Sequence, residues 1–288
     1  MLQHVIDVLA DPIDGSALCG ADEFSRLVST TGHSYDVAKQ GYVTLASGAG
    51  LNHEGDSPEM VASREAFLSR GHFAPFVETV TERVLDALSH GSLVDDAQPT
   101  ILEVGAGTGY YLSHTLDAVE NSRGVGVDIA VPAAKHLAKS HPRVGAVVAD
   151  VWTGLPLQDA SVDVITVIFA PRNSAEFARV LRDEGEVIVL TPQQGHLDEL
   201  REPLGILGVE DGKVGRLLEQ ARGHLEQVGE SELIEFPMRL DREAIAAQVG
   251  MSPSARHIEP EVLAQRVAAL PETMEVTARA QLTRLRKI

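Results

Sequence analysis

Between residues 100 and 190 the chain repeats one pattern: a short apolar run, a turn, then a stretch with apolar positions three and four apart. The apolar runs at 100–105, 123–128, 144–150, 162–169 and 185–190 are short and rich in β-branched residues, and predict five strands. The stretches 111–118, 132–140 and 175–181 predict the helices between them. Strands alternating with helices at this spacing imply βαβ units and a parallel sheet with helices on its faces.

The flanks read differently. Ser57 suits a helix N-cap, Pro58 the first helical position and Glu59 the first turn, so a helix is expected from there to near Gly71. Phe76, Val77, Val80, Val84 and Leu88 predict a second helix over 73–88. Residues 34–45 alternate weakly, carry Tyr35 and Tyr42, and read as a short hairpin. Residues 46–55 are small and polar, as in an exposed connection. Beyond Thr191 the chain turns helix-rich, with helices expected over 215–228 and 242–249 and two late strands over 231–236 and 273–285. The expected organisation is a small module over 1–50, a helical linker over 51–97 and an α/β domain over 98–288.

The glycine loop concentrates the candidate chemistry. Ile101, Leu102, Glu103 and Val104 run into Gly105, Gly107 and Gly109, and a helix follows. Such a bend lets a ligand approach the backbone beside the free N–H groups of the helix start. The second strand ends on Asp128, where a carboxylate reaches a ribose hydroxyl pair, and the third on Asp150, where one can accept from an adenine amino group. Either acid could instead be a turn residue capping the next helix. Dinucleotide loops read G-x-G-x-x-G because a pyrophosphate sits on the helix. The spacing here is G-x-G-x-G, with Glu103 upstream, which favours the cationic S-adenosyl-L-methionine over NAD. With the two late strands, the expectation is a Rossmann-like class I methyltransferase fold: a seven-stranded sheet, helices on both faces, and a small N-terminal module.

Acceptor chemistry belongs beyond the carboxyl ends of strands four and five. Phe169 could line the methyl pocket or merely end its strand. His196 could contact the cofactor tail, act as a base, or be a solvated loop histidine.

Composition narrows the partners. The net charge of −18 is the wrong sign for a nucleic-acid binder, although a locally basic face would suffice. No apolar stretch approaches membrane-spanning length, and no basic leader is present, so a cytoplasmic protein is expected. The single cysteine, Cys19, excludes an intramolecular disulfide and cysteine-rich zinc sites.

Several separate segments carry a resemblance: residues 33–43 (HSYDVAKQGYV), 55–60 (GDSPEM), Arg64, 71–73 (GHF), the glycine loop, 149–152 (ADVW), 169–173 (FAPRN), 191–194 (TPQQ) with His196 and Leu197, 238–240 (MRL) and 251–253 (MSP). In this order they resemble the 23S ribosomal RNA guanine-N1 methyltransferases of the RlmA/TlrB type, over nearly the whole chain. The details look closer to the TlrB branch, associated with macrolide resistance. The resemblance implies a homodimer, 23S rRNA as partner, an N-terminal zinc module, and cofactor contacts at Phe73, Gly107, Thr108 and His196. One departure is large: where the family has three cysteines and a histidine, this chain has Asp11, Asp14, Ser29 and His33. Tight structural zinc wants thiolate and imidazole, so no zinc is expected. For the guanine chemistry, His196 and His72 are candidate bases and Arg172 or Asn173 could orient the guanine, while a purely positional mechanism is equally open. A small-molecule acceptor and a non-catalytic cofactor-binding protein are the alternative readings.

Overall fold

The computed structural model describes residues 1–46, 51, 53–90 and 98–288; parts of the predicted connection (47–50 and 52) and the end of the predicted linker (91–97) lie outside the described residues. In chain order the strands and helices are β1 (Leu18–Ala21), β2 (Arg26–Ser29), β3 (Ser34–Asp36), β4 (Tyr42–Thr44), α1 (Pro58–Leu68), α2 (Ala74–His90), β5 (Thr100–Val104), α3 (Tyr110–Ala118), β6 (Arg123–Asp128), α4 (Val131–Ser140), β7 (Val144–Val148), β8 (Val162–Ile168), α5 (Ser174–Val180), β9 (Leu181–Pro192), α6 (Asp198–Leu204), α7 (Lys213–Ala221), β10 (Leu225–Asp241), α8 (Arg242–Gly250), α9 (Pro260–Ala268) and β11 (Thr273–Lys287).

The main sheet has the order β10-β11-β9-β8-β5-β6-β7-β4. From β7 to β9 all pairs are parallel, and β11 inserts antiparallel between β9 and β10. The expected seven strands are therefore present in a Rossmann-like arrangement. β4 adds an eighth, pairing Tyr42, Val43 and Thr44 in parallel with Ala146, Val147 and Val148. It covers an edge that would otherwise expose unpaired backbone groups. Direction reverses at β5: β6 and β7 extend the sheet one way, β8 and β9 the other. That switch point opens a crevice at the carboxyl ends of β5 and β8.

Side chains alternate between the two faces with the period of the strands. Ile101, Val164 and Ile188 pack with Phe76, Val80, Leu112 and Leu116 from α2 and α3. Leu102, Val125, Val147 and Val187 face the other way, onto Phe177, Leu217 and the N-terminal residues Leu2, Val5, Val8, Leu18 and Leu27. No helix among the described residues is long and apolar enough to cross a membrane.

Three expectations need correction. Residues 34–45 do not form a paired hairpin. β3 pairs with β2 and β4 joins the main sheet, with one bridge, Val37 to Val43, between them. The helix expected over 215–228 stops at Ala221, because Leu225 already pairs with Lys287. The strand expected over 231–236 runs from Leu225 to Asp241, with a bulge between Val228 and Glu232 that absorbs Gly229. The short helices α6 and α9 had no clear apolar period to announce them.

The N-terminal sheet β1-β2-β3 is tied together at Asp11, whose side chain is fully buried. Its Oδ1 accepts from the Tyr35 hydroxyl at 2.7 Å and the Ile13 N–H at 2.8 Å, and its Oδ2 lies 2.8 Å from His33 Nδ1. Burial alone would raise the Asp11 pKa, but the hydrogen bonds from Tyr35, Ile13, Ser29 and His33 outweigh it and hold it at about 2. An aspartate depressed in the folded state stabilises above its unfolded pKa and loses that contribution as pH falls. Asp11→Ala should therefore cost on the order of 2 kcal/mol at pH 7, with a gap from wild type that narrows below pH 4. Denaturant midpoints measured across pH check this.

Candidate functional site

The bend after β5 is built on two glycines with left-handed backbone, Gly105 at φ +70° and Gly107 at φ +55°. A Cβ on Gly105 would come within 2.4 Å of the Ala170 Cβ, so only glycine lets the β5 and β8 loops approach this closely. The N–H groups of Gly105 and Ala106 donate to Val127 O at 2.8 and 3.1 Å, which pins the bend to the end of β6. Asp128 completes the attachment. Its Oδ2 accepts from Gly107 N–H and its Oδ1 from Ala130 N–H, both at 2.8 Å. Burial raises its pKa, and the two backbone donors partly offset that.

Asp150 follows β7 and is 2% exposed. Its Oδ1 accepts from Trp152 N–H at 3.0 Å, and His53 Nδ1 lies 2.7 Å from its Oδ2. Gly105, Gly107, Asp128, Asp150 and Phe169 all line one cavity of about 310 Å³. Val104, Val127, Ile129, Val151 and Ile168 supply its apolar walls.

Sequence reasoning did not find the strap that closes this cavity, from His53 to Asp56. Arg256 donates to the carbonyls of Glu54 and Gly55, and Arg64 reaches Asp56 at 2.6 Å and Met251 O at 3.1 Å. Residues 55–60 and Arg64 belong to the family pattern, which by itself gives them no role. Arg256 gave no signal, because its partners lie about two hundred positions away.

The cavity meets an aromatic cluster at Phe169, which has φ +54° and is 39% exposed. Phe73, Phe76 and His196 surround it at ring-centroid distances of 6.3, 5.8 and 6.0 Å. Phe236 packs edge-on against Phe76 at 4.9 Å. His196 Nδ1 accepts from Arg279 N–H at 2.9 Å. Burial, with Lys213 nearby, lowers its pKa to about 4, so the ring is neutral at pH 7. A neutral ring that accepts at Nδ1 carries its proton on Nε2 and is there a donor.

Other predicted residues lie outside this cavity. Glu103 is buried behind the bend, and burial pushes its carboxyl up to about 8 against the N–H of Leu112, so it is protonated at pH 7. Thr108 and Gly109 line a neighbouring depression with Tyr110, Lys135 and Lys139. His72 stacks at 5.1 Å on Phe67, and burial followed by Arg70 lowers its pKa. Asn173 caps α5 and donates to Val151 O at 2.9 Å, bridging two loops. Arg172 donates to Thr191 Oγ1 at 3.3 Å beside the cleft mouth.

Asp11, Asp14 and His33 bring ligand atoms within 4.8 Å of one another where the resemblance implies zinc. The donor set lacks sulfur, and both Asp11 oxygens already serve the hydrogen bonds of the N-terminal sheet. The cluster fits a hydrogen-bonded tie and does not fit a structural zinc site. For the methyl donor the fit is good: a glycine bend, two strand-end acids and apolar walls between them match a cationic nucleoside.

A methyltransferase-domain family model matches residues 101–198. The chain is 42% identical over 288 residues, 96% of each protein, to a putative 23S rRNA (guanine-N(1)-)-methyltransferase of Micromonospora griseorubida. It is 39% identical over 283 residues, 98% of each, to the 23S rRNA (guanine(748)-N(1))-methyltransferase of Streptomyces fradiae. A putative 23S rRNA (guanine-N(1)-)-methyltransferase of Bacillus subtilis, YxjB, is 29% identical over 66% of each chain. Identity of this depth over nearly the full length, on a sheet ordered around the Gly105–Asp128 crevice, means that the chain belongs to the 23S rRNA (guanine-N1)-methyltransferase family and is an S-adenosylmethionine-dependent methyltransferase.

Proposed function

We propose that the protein methylates N1 of a guanine in 23S rRNA. One observation carries the reading beyond the relatives' names: the donor cavity opens at Phe169 onto an aromatic cluster that holds a neutral histidine donor. An acidic chain of −18 net charge favours a small-molecule acceptor instead, and an acceptor assay separates the two. A non-catalytic binder would be expected to have an occluded cleft, whereas Phe169 is partly exposed at this one.

When bound, S-adenosylmethionine supplies an electrophilic methyl group on a cationic sulfur. Asp128 would accept the ribose hydroxyls through lone pairs left beside its two backbone bonds. Asp150 would face the adenine edge, with His53 sharing or yielding its place. Gly105 and Gly107 admit the donor close to the backbone, while Glu103, Thr108 and Gly109 shape the bend from behind. Phe169, partly exposed at the cavity, would lie against the flat guanine beside the methyl group, with Phe73 buried behind it.

Guanine N1 carries a proton, and as that proton leaves charge gathers on O6. His196 is poorly suited to take it, since Nδ1 is occupied and Nε2 is already protonated. Its Nε2–H is suited to donate to O6, stabilising the developing oxyanion, with the N1 proton passing to water. The remaining gain comes from alignment of nitrogen, methyl and sulfur. His72 is left without a catalytic part, and Asn173 with that of holding the two loops together.

In this reading residues 98–288 carry methyl transfer, the strap within the 51–97 linker helps to enclose the donor, and the 1–50 module addresses the RNA. The family resemblance further supports a cytoplasmic homodimer with a part in macrolide resistance.

The direct test is transfer of labelled methyl to 23S rRNA from a strain lacking this gene, with the modified position mapped. Label at a guanine N1 is expected; tight donor binding with no label in rRNA would refute the rRNA assignment. Asp128→Ala should raise the donor KM by roughly 10- to 100-fold, the loss of hydrogen bonds worth about 1–3 kcal/mol. Steady-state kinetics read this directly. His196→Ala should lower kcat by roughly 100-fold, in the range seen when a single oxyanion donor is removed. Because His196 stays neutral above its pKa of about 4, wild-type kcat should show no acidic limb near pH 6.5. A limb there that disappears in the variant would instead mark His196 as the base.

A further inference from the structure

With 24 Lys and Arg against 42 Asp and Glu, a cation in this chain has carboxylates in excess to pair with. Beside the cleft mouth that expectation fails. Arg172, in the loop after β8, is half-buried, and among the described residues its side chain bonds only to the Thr191 hydroxyl. Lys213 opens α7 with no side-chain hydrogen bond or ion pair among the described residues. Arg216, one turn on, reaches Glu210 at 3.0 Å, and both groups are more than half exposed, where such a pair is weak. The fold forces the three together, since α7 packs against α5 and β9, the elements that carry the loops of Arg172 and His196. Burial and then Arg216 lower the proton affinity of Arg172, while for Lys213 burial lowers it, Glu210 partly restores it, and Arg172 and Arg216 lower it again.

Three converging cations set against the one exposed carboxylate of Glu210 leave a local excess of positive charge that an anion would relax. An arginine fork and a lysine point charge are the usual pair for a phosphate. We propose that Arg172, Lys213 and Arg216 form a phosphate clamp at the mouth of the cleft, which holds a phosphodiester of the RNA strand beside the guanine presented to His196. This rests on the rRNA reading and deepens it. It also reconciles a net charge of −18 with an RNA substrate, because the clamp confines positive potential to the place where the strand must enter. A neutral small-molecule acceptor would leave the cations with nothing to do.

The test is RNA binding by the full chain saturated with S-adenosylhomocysteine, using a 23S rRNA fragment that the wild type methylates. Lys213→Glu and the double variant Arg172→Ala/Lys213→Ala should each weaken RNA binding at least roughly 10-fold near 0.1 M salt. The slope of log K against log salt should become shallower by about 0.7–0.9 for each phosphate no longer neutralised. S-adenosylhomocysteine affinity by calorimetry should stay within about twofold, which reports an intact donor site and an intact fold. Lys139→Glu, on α4 outside the donor cavity, controls for net charge and should change RNA affinity less than threefold, roughly the limit for a charge distant from the strand. Unchanged affinity and slope in the mouth variants, with wild-type methylation intact, overturns the clamp and leaves the rRNA reading standing. An equal weakening in Lys139→Glu also overturns it. If the wild type neither binds nor methylates rRNA, both readings fall together.

Discussion

Most of the site depends on one carboxylate. Asp128 holds Gly107 N–H with one oxygen and Ala130 N–H with the other, so a single side chain fixes the glycine bend to the start of α4. Without it, the bend would rest on the Gly105 and Ala106 N–H bonds to Val127 O, with the Gly107 N–H released. Burial raises the proton affinity of that carboxylate, and the two backbone donors counter the effect, which keeps it suited to accept ribose hydroxyls. The bend in turn fixes the distance to the β8 loop, because Gly105 leaves no room for a side chain against Ala170. Donor cavity and acceptor end are thus positioned by the same few contacts.

The two ends of the cleft use opposite physics. The donor end is acidic and apolar, with Asp128 and Asp150 set in Val and Ile walls. In the proposed reading the acceptor end is aromatic, with a neutral imidazole and the cations Arg172, Lys213 and Arg216 beside it. A cationic donor and an anionic strand would each meet the complementary sign. In this reading the chain's acidity is compatible with an RNA strand, because charge summed over 288 residues hides how it is distributed.

The parallel core was legible because buried strands leave an unmistakable mark: runs such as Val162–Ile168, apolar on both faces, broken by glycine and proline. The strand-end positions of Asp128 and Asp150 were legible too, and both line the cavity. What escaped had no local signal. β4 is three residues whose place is set by Ala146–Val148, a hundred positions away. β10 could not be measured from its own alternation, because its length comes from pairing with β11 across a bulge. The strap at His53–Asp56 depends on Arg256 in the same way. The tautomer of His196 follows from Arg279 N–H, and the place of Lys213 and Arg216 from α7 packing on α5 and β9. Chemistry set by one residue's position in its own strand could be read; chemistry set by a distant partner could not. At the N-terminal cluster, Asp11, Asp14 and Ser29 in place of cysteines argued in the sequence against zinc, but the tie of hydrogen bonds from Asp11 to Tyr35 and His33 depends on the fold and had no local signal.

The central claim is geometric, and a crystal structure of the protein with S-adenosylhomocysteine tests it most directly. The account predicts ribose hydroxyls within hydrogen-bond distance of the Asp128 carboxylate, the adenine edge beside Asp150, and the sulfur pointing toward Phe169 and His196. A nucleoside bound elsewhere, with the Gly105–Asp128 crevice vacant, would contradict it.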